Sequence, residues 1–130
     1  ISPASGSLPA GASQPITLTF DAAGVTAGTY QAYIKVTSDT PYGATNIPVS
    51  LTVNPAYGVS VTLRTAPQAA YGGQSVQYSV EVSNTGNTGD LYDITLSGNA
   101  WASSAPPTIG MLSAGASDVF ALTVTVPVGT

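Results

Sequence analysis

The 130 residues contain no cysteine and no histidine. The first absence removes disulfides and thiolate metal sites, and leaves the redox compartment open. The second removes the side chain that titrates near neutral pH, so a Ser-His-Asp arrangement cannot be assembled and zinc lacks both of its preferred ligand types. Charge is also scarce: two basic and six acidic residues, 6% of the chain, give a net charge of −4, against about a quarter charged in an ordinary soluble domain. Lys35 and Arg64 cannot form a basic surface that neutralises phosphates, so neither nucleic acid nor an anionic membrane is an expected partner. No apolar run approaches the ~18 residues that span a bilayer, so no membrane insertion is expected. The opening ISPASGSLPAG has neither the basic nor the apolar region of a signal peptide. The first residue is Ile rather than Met, and the expectation is a piece of a longer chain whose export signal lies outside it.

Helical periodicity is missing as well, and alternation of period two takes its place. In QPITLTF, Ile16, Leu18 and Phe20 share one face; in GTYQAYIKVTS, Tyr30, Ala32, Ile34 and Val36 oppose Gln31, Tyr33, Lys35 and Thr37. NIPVSLTV repeats the scheme with Ile47, Val49, Leu51 and Val53, and Pro48, which cannot donate to a ladder, marks an edge or a bulge. After the Pro-containing connector Asn54–Tyr57 the alternation restarts: Val59, Val61 and Leu63; then Val76, Tyr78, Val80 and Val82; then Tyr92, Ile94 and Leu96; then Phe120, Leu122, Val124 and Val126. Turn-rich segments between these runs give the cadence of an antiparallel sandwich.

The two halves echo one another. LPAGASQPITLTFDAAGV (Leu8–Val25) and LSAGASDVFALTVTVPVG (Leu112–Gly129) share Leu-x-Ala-Gly-Ala-Ser, two further residues, and then an alternating strand. The expected fold is all-β: two tandem Ig-like antiparallel β-sandwich modules, residues 1–54 and 55–130. A full sandwich takes about seven strands and ~100 residues. By that count the first module lacks its opening strands and the second its last, so the sheets are either cut short or completed by strands of another chain.

The first forty residues with IPVSLTV resemble the Ig-like, fibronectin-type-III-like repeats of exported bacterial proteins, through Ser-Pro-x-Ser-Gly, Ala-Gly, Gly-x-Tyr and Pro-Val-x-Leu-x-Val. The second module, with VQYSVEVSNTGNTGDLYDITLSGNAW and LSAGASDVFALTVTVP, resembles NEW3/CARDB-like domains. Such modules occur in C-terminal extensions of secreted subtilisin-like proteases, glycosidases and surface proteins. The resemblance therefore implies an extracellular or cell-surface location, and neighbouring domains of the same parent chain as partners.

The run Asn84–Asp93 is where chemistry would be sought. Asp90 and Asp93 offer a carboxylate pair, but two acids so close in sequence, with only Glu81 near, make a poor acid/base constellation. Asn84, Asn87, Asp90 and Asp93 supply oxygens that calcium would accept, although at neither EF-hand nor repeat-type spacing; no other cofactor is expected. The plain reading is a turn, with Asn and Gly able to take positive φ and Asp side chains capping free amides. Trp101 is expected in the core as the residue with most area to bury. Tyr33, Tyr42, Tyr57 and Tyr71 fall outside the apolar faces and form a candidate ligand-binding or inter-module patch. The expected role is then non-catalytic: a structural or accessory region that spaces or presents a head domain such as a subtilisin-like protease. The alternatives are a self-assembling extracellular fibre subunit joined by strand complementation, and a carbohydrate- or protein-binding module.

Overall fold

The structure is a computed structural model that describes residues 1–39, 41 and 43–129. All of the regular structure among the described residues is β, with no helix: β1 (Gly28–Thr37), β2 (Ala44–Val53), β3 (Val59–Leu63), β4 (Ser75–Asn84), β5 (Asp90–Asp93), β6 (Ala102–Ser104), β7 (Thr108–Leu112) and β8 (Ser117–Thr125). The chain divides into two compact units, Ile1–Val25 with Thr29–Val53, and Thr26–Gly28 with Asn54–Thr130.

In the first unit β1 and β2 form a two-stranded sheet. Its alternation survives only in part: Ile34, Val49 and Leu51 are half-buried and Val53 is buried, but Tyr30, Ala32, Val36 and Ile47, expected on the same apolar faces, are exposed along with Tyr33 and Lys35. Pro48 sits in β2, which has a single partner strand, and an edge strand is where proline is tolerated within a sheet. The strand expected at Gln14–Phe20 does not form. Thr17 makes one isolated bridge with Ser2, through bonds of 3.0 and 2.8 Å, and Ile16 and Phe20 remain exposed. Alternation describes what a strand would bury, but a strand exists only where another lies alongside it.

The second unit contains a four-stranded sheet, β3-β4-β8-β6, and a two-stranded sheet, β5-β7. From β4 onward each connection changes sheet, so the chain is stitched back and forth between two layers. The central ladder pairs β4 with β8 antiparallel, from Ser75↔Thr125 to Ser83↔Ser117. One face of it packs on the small sheet: Val82, Ile109 and Leu112 are buried together, with Tyr92, Ile94, Ala116 and Phe120 against them. β4 shows the cleanest pattern, since Val76 and Tyr78 are half-buried, Val80 and Val82 buried, and the residues between them more exposed. β5 is shorter than LYDITLSG suggests. A register shift between Asp90 and Tyr92, where β7 supplies one residue more than β5, interrupts the pairing before it resumes at Tyr92 and Asp93, and the chain leaves the small sheet after Ile94 N–H donates to Pro107 O at 2.8 Å.

The sequence echo is a real turn repeated. Ala12 N–H donates to Pro9 O and Ala116 N–H to Ser113 O, both at 3.0 Å, and the intervening Gly11 and Gly115 have φ of 76° and 73°. Only the third residue of each turn takes positive φ, which glycine adopts without a Cβ clash, and this is the type II arrangement. After Gly115 the chain enters β8 beside β4. After Gly11 it meets no such neighbour.

Candidate functional site

The run between β4 and β5 carries the densest polar network of the second unit. Asn84, last residue of β4, is 1% exposed, so its side-chain amide must be satisfied internally. Its Nδ2 donates to Thr88 O at 2.7 Å and Leu112 O at 2.9 Å, and its Oδ1 accepts from Gly86 N–H at 2.9 Å. Its backbone bonds Ala116 O and Gly115 N–H at 2.9 and 3.0 Å. One residue thereby ties together the end of β4, the following turn, the end of β7 and the turn into β8.

Asn87 fastens the connector. Its Oδ1 accepts from Ala56 N–H at 2.7 Å and its Nδ2 donates to Asn54 O at 3.1 Å, while its own N–H donates to Ala56 O at 2.9 Å. Thr85 N–H and the Tyr92 hydroxyl both donate to Gly58 O, at 2.9 and 3.2 Å. The segment read as a linker is thus a hydrogen-bonded extension of the β3-β4 ladder. Partial burial, and secondarily the Asp90 carboxylate, raise the Tyr92 phenol above its usual pKa.

The turn is built otherwise than its composition suggests. Neither Gly86 nor Gly89 has positive φ, and no Asn does. A Cβ on Gly86 would strike Ala56 O, and would also lie 3.1 Å from Gly58 N and from Asn84 Oδ1, so glycine is needed for the close approach of two backbones. The turn does not join adjacent strands either, since β4 and β5 lie in different sheets.

Of the oxygen donors, the two Asn side chains therefore serve the backbone. Asp90 is half-buried and its Oδ1 accepts from Leu91 N–H at 2.9 Å; Asp93 is exposed, opposite Thr108. A cation here would have to compete with amide hydrogens for Asn84 Oδ1 and Asn87 Oδ1. No group of three acids stands together among the described residues.

Within the second unit, Tyr57 and Tyr71 do not converge. Tyr57 lies at the Asn84 end of β4 and Tyr71 beside Gln74 at its other end; ten residues of strand, roughly 30 Å, separate them. Both are exposed, as is Tyr33, which lines a shallow groove in the first unit with Gln31, Pro48 and Ser50. Tyr42 lies outside the described residues.

Trp101 is the correction of most consequence. It is 45% exposed instead of buried, and it stands beside an open groove of about 460 Å³ with Leu96, Asn99, Ser103, Leu122 and Val124. The small sheet has two strands against four and leaves this end of the inner face uncovered. Gly98, at φ 71°, turns the chain just before it, and the Trp101 carbonyl accepts from Asn99 Nδ2 and Ser103 Oγ at 3.1 and 3.0 Å. The SGNAW turn was the available signal, but alternation alone does not tell which part of a face its partner sheet covers.

No known protein family, no curated protein and no solved structure matches this chain.

Proposed function

We propose that this chain is a non-catalytic structural region of an exported bacterial multidomain protein: two tandem Ig-like modules that space or present a neighbouring head domain. The observation that carries this reading is the fastening of Asn54–Gly58 by Asn87, Thr85 and Tyr92. A Pro-containing connector held at both backbone and side-chain level suits a spacer, because the entry to the second unit is ordered rather than slack. The most connected polar side chains of the second unit, Asn84 and Asn87, bond backbone groups and present no converging reactive pair.

Backbone relaxation of ¹⁵N-labelled protein tests it. Order parameters for Ala56–Gly58 are expected near those of β4, about 0.85, and values below about 0.6 would refute the spacer reading. Steady hydrolysis of glycoside, ester or peptide substrates by the purified chain would refute the non-catalytic half.

The Trp101 groove favours a second reading, a module that binds a neutral saccharide, since its lining combines an exposed ring with Ser and Asn side chains and no charge. Retardation in polysaccharide affinity gels, abolished by Trp101→Ala, would support it; unchanged mobility in every gel would remove it.

A further inference from the structure

Edge strands expose backbone groups that can capture another chain, and folded proteins usually guard them with charge, proline, bulges or brevity. Most edges here carry such guards. β1 has Lys35 and β2 has Pro48; β5 is four residues with a register shift and an Asp at each end; β6 is three residues and runs into Pro106-Pro107, which also precede β7. β3 has none. Its sequence, Val59-Ser60-Val61-Thr62-Leu63, holds no charge, proline or bulge, and the neighbouring Arg64 is ion-paired with Glu81.

The ladder fixes which groups of β3 are unused. Thr85 N–H donates to Gly58 O, and Arg64 N–H donates to Ser79 O. Alternation then directs the backbone groups of Ser60 and Thr62 toward β4, and those of Val59, Val61 and Leu63 away from it. The side chains of these same three residues are 53%, 63% and 55% exposed, although opposite Val61 and Leu63 stand the buried Val82 and Val80. An apolar row continues the core face outward, next to a row of unpaired amides.

We propose that β3 is a self-association edge whose occupant is the β3 strand of a second copy, paired antiparallel about a two-fold axis through Val61. The strand's pattern is self-complementary in that register. Val61 meets Val61, Val59 meets Leu63, and Ser60 meets Thr62, so apolar faces apolar and hydroxyl faces hydroxyl. The outward-facing residues are the ones that exchange N–H···O=C bonds in such a pair. A strand bearing even one charge at its centre would place like against like; this one places none. Two four-stranded sheets become one of eight, and no segment of either chain has to unfold or be donated.

The interface is short, at the low end of specific contacts, and a dissociation constant on the order of 100 µM is expected. Sedimentation of the full chain from about 10 µM to 1 mM, a range chosen to bracket that weak affinity, should show the mass rising from one chain toward two. Val61→Lys, at an exposed position, would bring two lysines face to face and should weaken association about tenfold or more. Tyr71→Lys, far from the edge, should leave association unchanged. Hydrogen exchange of the Val59, Val61 and Leu63 amides should slow with concentration in the unsubstituted chain. A monomer at 1 mM, a dimer undiminished by Val61→Lys, or concentration-dependent protection at another strand would each overturn the proposal. Should Val61→Lys lose its fold, the exchange data on the unsubstituted chain decide alone.

Discussion

Asn84 concentrates more structure into one side chain than any other residue of the second unit. Replacing it with Ala removes its bonds to Thr88, Leu112 and Gly86 and leaves the buried Leu112 carbonyl without that donor, so a loss of about 2–4 kcal/mol is expected in urea denaturation. Asn84→Asp is the sharper test. A carboxylate would present acceptors to two carbonyl oxygens, so this variant should be less stable than Asn84→Ala at neutral pH. It should recover part of the difference in acid, where the protonated acid can donate again. Tyr92 gives a second dependence, of opposite reach. Its phenol pKa is raised in the folded state, so the unfolded chain loses that proton first and binds fewer protons as pH climbs. The contribution of Tyr92 is therefore full below about 10, the unfolded phenol value, and is lost as pH rises through the folded one. Comparing alkaline denaturation of the parent and Tyr92→Phe should show a shallower fall in the variant. That Asn84 stands where a strand gives way to a turn was legible from SVEVSNTGNTGD. That its side chain is interior was not, because an Asn at a strand end reads equally well as a solvent-facing cap.

Among the strands, legibility followed coverage. The alternation of β4 translated directly into burial because a sheet lies over its inner face and a strand lies on either side of it. β3 alternates just as cleanly and yet stays half-exposed, since the two-stranded layer does not reach it. Ser13–Phe20 and β8 begin with the same turn and the same kind of sequence, but only β8 has β4 to pair with. The contrast predicts a difference in hydrogen exchange. Amides of Ser13–Phe20, apart from the bridged Thr17, should exchange within seconds to minutes near neutral pH, and those of Val119–Val124 orders of magnitude more slowly. Comparable protection in the two segments would mean that the N-terminal one is paired as a strand.

For the molecule as a whole, the all-β class and the restart of alternation after Tyr57 could be read from the sequence, whereas the distribution of the core could not. Of the buried apolar side chains, Val53 belongs to the first unit and Val80, Val82, Ile109, Leu112 and Val126 to the second. A two-stranded sheet with little buried surface is marginal by itself, while two packed layers hold a core of their own. On heating, signals from the first unit, such as those of Ile34 and Val49, should therefore broaden or shift at lower temperature than those of Val82 and Ile109. Coincident loss of both sets in temperature-resolved NMR would show a single cooperative unit instead.

The ladder registers also set how the second unit would bear tension. Its chain comes in through Asn54–Val59, alongside the Asn84 end of β4, and runs out of β8 at Thr125, alongside the Ser75 end. A pull applied through those two places acts lengthwise on β3, β4 and β8, across hydrogen bonds that lie perpendicular to the strands. Such a load is shared by the rungs in parallel and cannot peel them off one after another, so a fold held by few buried side chains can still resist being drawn out.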